Sequence, residues 1–243
     1  MSSPERLPVV VLSCQVLQDL LVCLLPEGLA QEVIFMDYGL HRVPSKMTWM
    51  LQEAIDHIEE PSLVVLGYGL CGNGLQGIRA GKHTLLAPRV DDCIALLLGS
   101  RKAYMREFEA VPGTYYLSKG WLKSGSHPLK EYEEYLPKYG PKEAMWIMDQ
   151  QYQHYERLVL VAHSRADLEV YRPQAQEIAR FCERWGMRYE EILGSDRYVR
   201  RLVEAAQGRA ALDKAAEYRF RGGDGDFLVI PPGGEIRQEQ FMR

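Results

Sequence analysis

Three of the five cysteines in this chain follow apolar runs that have the composition of buried strands. Cys14 ends the run PVVVLSC, Cys71 follows SLVVLGYG within a glycine-rich loop, and Cys93 follows HTLLAPR after a short polar segment. In the common doubly wound order, strands one, three and four are neighbours, and the carboxyl ends of parallel strands meet at one sheet edge. The three thiols are therefore predicted to converge. Each also lies near a predicted helix amino terminus, which favours the thiolate.

Three thiolates gathered at one point repel each other unless a cation joins them, so this convergence indicates a bound metal. A 4Fe-4S cluster held by Cys14, Cys71 and Cys93 would leave one iron open to substrate. A zinc ion would instead need a fourth ligand, and His41 in YGLHRVP would complete a Cys3His set. A third interpretation stays open, three free cysteines in a core, because no C-x-x-C spacing is present.

The polar side chains and glycines near these cysteines supply further candidates. A fourth ligand or a substrate contact is predicted among His41, Tyr68, Arg89, Asp92, Ser100 and Arg101. The glycines of GYGLCGNGLQG have two interpretations, since they either bring backbone N-H groups to an anion or only permit tight turns. Cys23 and Cys182 fall on apolar faces of predicted helices, so we expect them to pack against the core.

The first half of the chain alternates apolar runs with segments of helical periodicity. The runs at 8–14, 32–39, 62–69 and 83–89 are predicted strands, with helices between and after them. Strand and helix in alternation is typical of a parallel α/β sheet with right-handed crossovers. We therefore predict a doubly wound, Rossmann-like fold, in which residues 1–109 form a first lobe that carries the cysteine site.

The second half is less regular. Residues 110–150 lack a sustained period and are rich in Tyr, Gly, Pro and Lys, so they are predicted to be an irregular or partly helical connector or lid over an interlobe cleft. Tyr115, Tyr116 and Trp121 would either line that cleft or pack as a lid over the core. The alternation resumes over 151–243, which predicts a second, smaller α/β lobe, although its strands could equally extend the first sheet.

Composition excludes several classes of protein. Lys and Arg number 29 against 33 Asp and Glu, and no basic tract stands out, so nucleic acid is not an expected partner. No apolar run approaches the roughly 20 residues that cross a bilayer. The start MSSPERLPVVVLSC also lacks the apolar stretch of a signal peptide, and we expect a cytoplasmic protein without a membrane partner. An odd number of cysteines argues against a disulfide framework.

The segments SLVVLGYGLCGNGLQGIRAGKHTLLAPRVDDCIALLLGS, GTYYLSKGW and DFLVIPPG resemble domain-of-unknown-function family 1638 of bacterial and archaeal proteins, nearly end to end. Its pattern of a cysteine after the first strand, G-Y-G-L-C-G and P-R-x-H-D-C is matched by Cys14, Cys71 and Cys93. The chain departs from that pattern at Asp91, where the family has histidine. Genes of the family often lie beside corrinoid-dependent methyltransferases, which implies a place in methyl-group metabolism.

Two functions follow as hypotheses. The first is an enzyme or methyl-transfer accessory protein with an open metal or cluster site. It would act on a small molecule or a corrinoid-related protein, by methyl transfer or by a metal-assisted lyase or transferase step. The second is a non-catalytic zinc protein with a closed Cys3His site that binds or senses a ligand. The fourth ligand distinguishes them.

Overall fold

The computed structural model describes residues 7–210 and 225–242, without the side chains of His41 and Arg42. Leu97–Ser195 forms one compact unit, and the described residues on either side of it form another. The described strands are β1 Val9–Cys14, β2 Glu32–Met36, β3 Leu63–Gly67, β4 Thr84–Pro88, β5 Thr114–Ser118, β6 Arg157–Ala162, β7 Arg188–Leu193 and β8 Phe227–Ile230. No helix within the described residues is long and apolar enough to cross a membrane.

The α-helices are assigned over the same described residues. They are α1 Gln18–Leu24, α2 Pro44–Asp56, α3 Ile94–Leu97, α4 Arg101–Ala110, α5 Lys119–Ser124, α6 Pro128–Tyr152, α7 Arg165–Cys182 and α8 Arg197–Ala210. Short 3-10 helices span Gln15–Leu17, Tyr38–Arg42, Glu183–Trp185 and Gln238–Gln240. Helices thus follow most strands, as the alternating sequence pattern predicts.

The first sheet has the strand order β2-β1-β3-β4-β8. Its first four strands are parallel, with Val11 opposite both Val33 and Val65. All residues of β1, β3 and β4 are buried, because helices cover both faces of a doubly wound sheet and leave no solvated side. The predicted α/β class, the parallel Rossmann-like sheet and the adjacency of strands one, three and four are confirmed.

The last strand, β8, extends the first sheet, which the sequence analysis gave only as an alternative to a second lobe. Phe227–Ile230 pairs antiparallel with β4, with Leu228 opposite Ala87, so it extends the first sheet. Helix α8 likewise packs against β3, β4 and α1. The predicted boundaries at residues 109 and 150 therefore differ from the observed ones, since the chain leaves the first unit after Leu96 and returns at Asp196. An apolar run does not encode which open sheet edge it joins.

The second unit contains a parallel sheet of order β5-β6-β7. Residues 110–150, predicted to be an irregular or partly helical connector, are mostly regular, because β5, α5 and α6 occupy most of them. Pro128 starts α6, where its missing N-H is harmless, and Gly140 at φ 77° kinks the helix between Pro137 and Pro141. Proline and glycine lie here at the start and at the kink of a helix, and their abundance gives this helix the composition of a loop.

An aromatic cluster forms much of the second core. The ring of Tyr115 meets Tyr152 edge-on at 5.6 Å and Tyr155 at 5.5 Å between centroids. Tyr152 also donates a 2.6 Å hydrogen bond to Glu131. Tyr115, predicted as a lid residue, is thus a packing residue of this unit.

Candidate functional site

Cys14 is the last residue of β1, a strand with neighbours on both sides. Its side chain is buried, and the chain turns directly into the 3-10 helix Gln15–Leu17. Burial raises the pKa of the Cys14 thiol to about 12, and a hydrogen bond from the Val16 backbone opposes that rise. The neighbouring Cys71 raises it further, so the two sulfurs lie within electrostatic reach of each other.

Cys71 lies in a left-handed turn after β3. Its φ is 47°, and the next two residues, Gly72 and Asn73, have φ of 63° and 72°. A cysteine rarely adopts this conformation, so its surroundings must hold it there. Two backbone bonds do so, from Leu70 N to Val90 O at 2.9 Å and from Cys71 N to Asp91 O at 2.8 Å.

Gly69 permits the loop after β3 to lie directly against the loop after β4. A Cβ at this position would lie 2.7 Å from Asp92 Cα, which is closer than side chains come to backbone. Gly67 has the same role against the buried Ser13. Gly67 and Gly69 therefore permit a close approach of neighbouring segments, and neither has a positive φ. The N-H groups of Leu70 and Cys71, which an anion or a cluster sulfur would have used, are bonded to carbonyls.

Cys93 follows β4 and is buried beside Cys71. A hydrogen bond with Cys71 is the largest cause of a pKa raised well above the usual cysteine range, followed by burial and by the charges on Cys71, Cys14 and Asp92. The loops after β3 and β4 thus meet, with Cys71 N bonded to Asp91 O two residues before Cys93, and Cys14 ends the neighbouring strand β1. Burial at Cys14, and the hydrogen bond with Cys71 followed by burial at Cys93, shift the thiol pKa upward, opposite to the direction expected from a nearby helix amino terminus.

The described residues contain no group of three or more His, Cys, Asp or Glu side chains already arranged to hold a metal ion. The three sulfurs are neighbours whose arrangement is not that of a coordination shell. A three-cysteine ligand set is consequently still a prediction, and the raised pKa values of Cys14 and Cys93 favour the thiol over the thiolate at both positions.

Tyr68, the residue after β3, faces this cysteine cluster. Only 2% of the residue is exposed, and its buried hydroxyl has no hydrogen-bond partner in the described part of the chain. Burial and then the charges of Cys14, Cys71 and Cys93 raise its pKa. The structure thus places an unpaired polar group beside the three thiols.

Arg89 and Asp92 have structural partners. The Arg89 guanidinium donates a 2.7 Å hydrogen bond to the carbonyl of Met242, although its buried Nε lacks a partner among the described atoms. Asp92 Oδ1 accepts from Ile94 N at 2.8 Å, which caps the short helix α3. Arg89 and Asp92 therefore both stabilise the conformation of the loop that leads to Cys93.

Ser100, Arg101 and His41 are less informative. Ser100 and Arg101 belong to the second compact unit, where the Ser100 hydroxyl caps α4 by accepting from Ala103 N at 3.0 Å. His41 has its backbone in the 3-10 helix Tyr38–Arg42, just past β2, and its side chain lies outside the described atoms. Cys182 is fully buried as predicted, whereas Cys23 is exposed and does not pack on a buried face.

Ser13 is a part of the site that the sequence reasoning missed. It is completely buried next to Cys14, and its hydroxyl donates to Gly67 O at 3.3 Å or Cys14 O at 3.2 Å. It thereby fastens the end of β1 to the end of β3. A serine inside the otherwise apolar run PVVVLSC was the available signal, because a buried hydroxyl needs a partner.

The fold and this site define a class, parallel α/β proteins with cysteines gathered at the carboxyl edge of the sheet. Within it, the chain belongs to the family described as protein of unknown function DUF1638, whose model matches residues 35–203. That span contains Cys71 and Cys93 and begins after Cys14, so it is shorter than the nearly complete resemblance expected. Comparisons with curated proteins and with solved structures find no match.

Proposed function

We propose that this protein binds a 4Fe-4S cluster or a metal ion through Cys14, Cys71 and Cys93, and acts as an enzyme or accessory protein in the cytoplasm. The observation that carries the proposal is the position of Cys14, Cys71 and Cys93 at the carboxyl edge of three adjacent parallel strands, where a hydrogen bond from Cys71 N to Asp91 O joins the loops that hold Cys71 and Cys93. Ligands of open α/β sheets bind at that edge. All five cysteines are free thiols, which suits a reducing compartment.

Loading such a site requires thiolates, and burial makes thiolates unfavourable in the metal-free protein. A cation reverses this balance because it replaces the protons and neutralises the mutual repulsion of the sulfurs. Small rearrangements of the three side chains are also needed, since the described residues hold no ready coordination shell. Three cysteine ligands on a 4Fe-4S cluster leave one iron for a substrate, and this favours catalysis over a purely structural role.

The position of His41 supports zinc as an alternative. Its backbone lies just past β2, which pairs with β1 so that Met36 is opposite Cys14. A histidine at this point of the same sheet edge could complete a tetrahedral Cys3His site, and a closed site of that kind would be non-catalytic.

The metabolic context of the proposal comes from the gene neighbourhood that the family resemblance implies. Corrinoid-dependent methyl transfer in anaerobes would supply the substrate, either a small methyl donor or a corrinoid-related protein. A gene neighbourhood is an association only, and it does not indicate a reaction mechanism.

Anaerobic purification followed by iron, zinc and sulfide analysis tests the proposal. Matched iron and sulfide, with a broad absorption band near the blue edge of the visible range, supports the cluster. One zinc per chain in a colourless protein supports the alternative. A protein without bound metal, even after reconstitution with iron and sulfide or with zinc, contradicts both.

A further inference from the structure

The Tyr68 hydroxyl is a buried polar group that the fold leaves unused. It lies directly after β3 in the first core, where only 2% of the residue is exposed. Buried tyrosines ordinarily find a partner for the hydroxyl, and none is present for this one among the described residues. A phenylalanine would fill the same space without the penalty of burying an unpaired hydroxyl, so packing does not explain the choice of tyrosine.

The surroundings of this hydroxyl point to the cysteine cluster. Tyr68 and Cys14 belong to the same buried cluster, and Cys71 packs against it. The charges of Cys14, Cys71 and Cys93 also raise the pKa of the hydroxyl, after the larger effect of burial. These residues follow three different strands, and a point near all three is the place where a shared ligand would lie. A tyrosine hydroxyl is protonated at neutral pH, so it is a hydrogen-bond donor there.

We propose that the Tyr68 hydroxyl donates a hydrogen bond to a non-protein atom held by Cys14, Cys71 and Cys93. This inference rests on the proposed function and adds the chemistry of the bound group, which must present an acceptor atom to the buried face of the site. Two sources share that chemistry, a sulfide of the cluster and the donor atom of a small anionic ligand at an open metal position. Tyr68 is thus a positioning residue for the bound group, and its hydroxyl gains its partner only on loading.

The test compares Tyr68→Phe with Tyr198→Phe in the full-length protein. Tyr198 is an equally buried tyrosine of the same unit, but its hydroxyl already donates to Asp226 O at 2.6 Å. In the metal-free protein, Tyr68→Phe should raise the midpoint of thermal unfolding by about 2–4 °C, because it removes an unpaired buried hydroxyl, whereas Tyr198→Phe should lower it.

The loaded proteins supply the second readout. With metal content per chain unchanged, Tyr68→Phe should either shift the reduction potential and absorption of the cluster or weaken the binding of added cyanide by about 2–10-fold. The first result identifies a cluster sulfide as the acceptor, and the second identifies an added ligand. Tyr198→Phe should change neither property.

The two proposals fail in different ways. If the parent protein takes up no metal, the proposed function is wrong and this inference falls with it. If the parent is loaded but Tyr68→Phe has the parental potential, absorption and cyanide affinity, only the inference about Tyr68 is wrong. A lowered unfolding midpoint of metal-free Tyr68→Phe also overturns it, because the hydroxyl would then have a partner within the protein.

Discussion

The backbone N-H of Cys71 donates a 2.8 Å hydrogen bond to the carbonyl of Asp91. This bond joins the loop that follows β3 to the loop that follows β4, and it places Cys71 beside Cys93, two residues past the acceptor. The side chain of Asp91 is not the group that makes this bond, so the link depends on the backbone alone.

Replacing Cys71 with serine should sharply reduce bound metal. Serine has nearly the same size, but its hydroxyl is a harder and far less acidic ligand than a thiol. Metal per chain, measured after anaerobic purification, should fall to less than about a tenth of the parental value if retention loses more than about 1.4 kcal/mol. The exposed Cys23 and the buried Cys182, each replaced by serine, are the matched controls and should retain the parental metal content.

Replacing Gly69 with alanine should separate the two loops of the site. The added Cβ would meet the Asp92 backbone at 2.7 Å, so the loops must shift, at a cost of about 1–3 kcal/mol in the free energy of unfolding. Metal content should fall as well, because Cys71 and Cys93 lie in these loops. Chemical denaturation and metal analysis measure the two effects.

Gly208→Ala is the control for that substitution. Gly208 is exposed within α8 and has no atom within 4 Å of an added Cβ, so alanine should be neutral or stabilise by up to about 1 kcal/mol. Equal stability of the Gly69→Ala protein and the parent would show that the two loops need not lie so close.

Replacing Arg157 with leucine should destabilise the second unit. This buried arginine of β6 donates to Glu107 at 2.9 Å, to Glu190 at 3.0 Å and to Thr114 at 3.1 Å. Both carboxylates are partly exposed and can be solvated when the arginine is lost, so we expect a loss of about 1–3 kcal/mol, below that of a fully buried pair. Lys130→Ala, which breaks the exposed pair with Glu133, should change stability by less than about 0.5 kcal/mol in the same denaturation experiment.

Acid should destabilise the protein partly through Glu191. A hydrogen bond from Arg172 is the largest cause of its lowered pKa, and the bond is 2.7 Å long. A lowered folded-state pKa contributes stability above the unfolded pKa of about 4.3, and this contribution is lost as the pH falls through the folded value. The Glu191→Gln protein should therefore lose less stability than the parent between about pH 5 and pH 3. Parallel acid titrations followed by circular dichroism measure the difference, and coincident curves would contradict it.

Local sequence patterns were sufficient for the four parallel strands of the first sheet and for the place of its cysteines. Continuous apolar runs predicted β1 to β4, because a strand buried on both faces has no polar alternation. The carboxyl ends of those strands then had to share one edge, and the contact of Cys71 with Cys93 follows from that rule. The same reasoning failed over residues 110–150, where a helix that starts at Pro128 and is kinked at Gly140 has the composition of a loop.

What the sequence determined by itself is the parallel α/β class and the three cysteines at one sheet edge, since both depend on the order of short apolar and polar segments along the chain. The tertiary structure alone decided the rest. It paired β8 with β4 and left the Tyr68 hydroxyl without a partner. It also raised the pKa of Cys14 and Cys93, where the helix termini had suggested thiolates. Strand partners, burial and the pairing of polar atoms depend on segments far apart in the chain, and they are fixed only when those segments pack together.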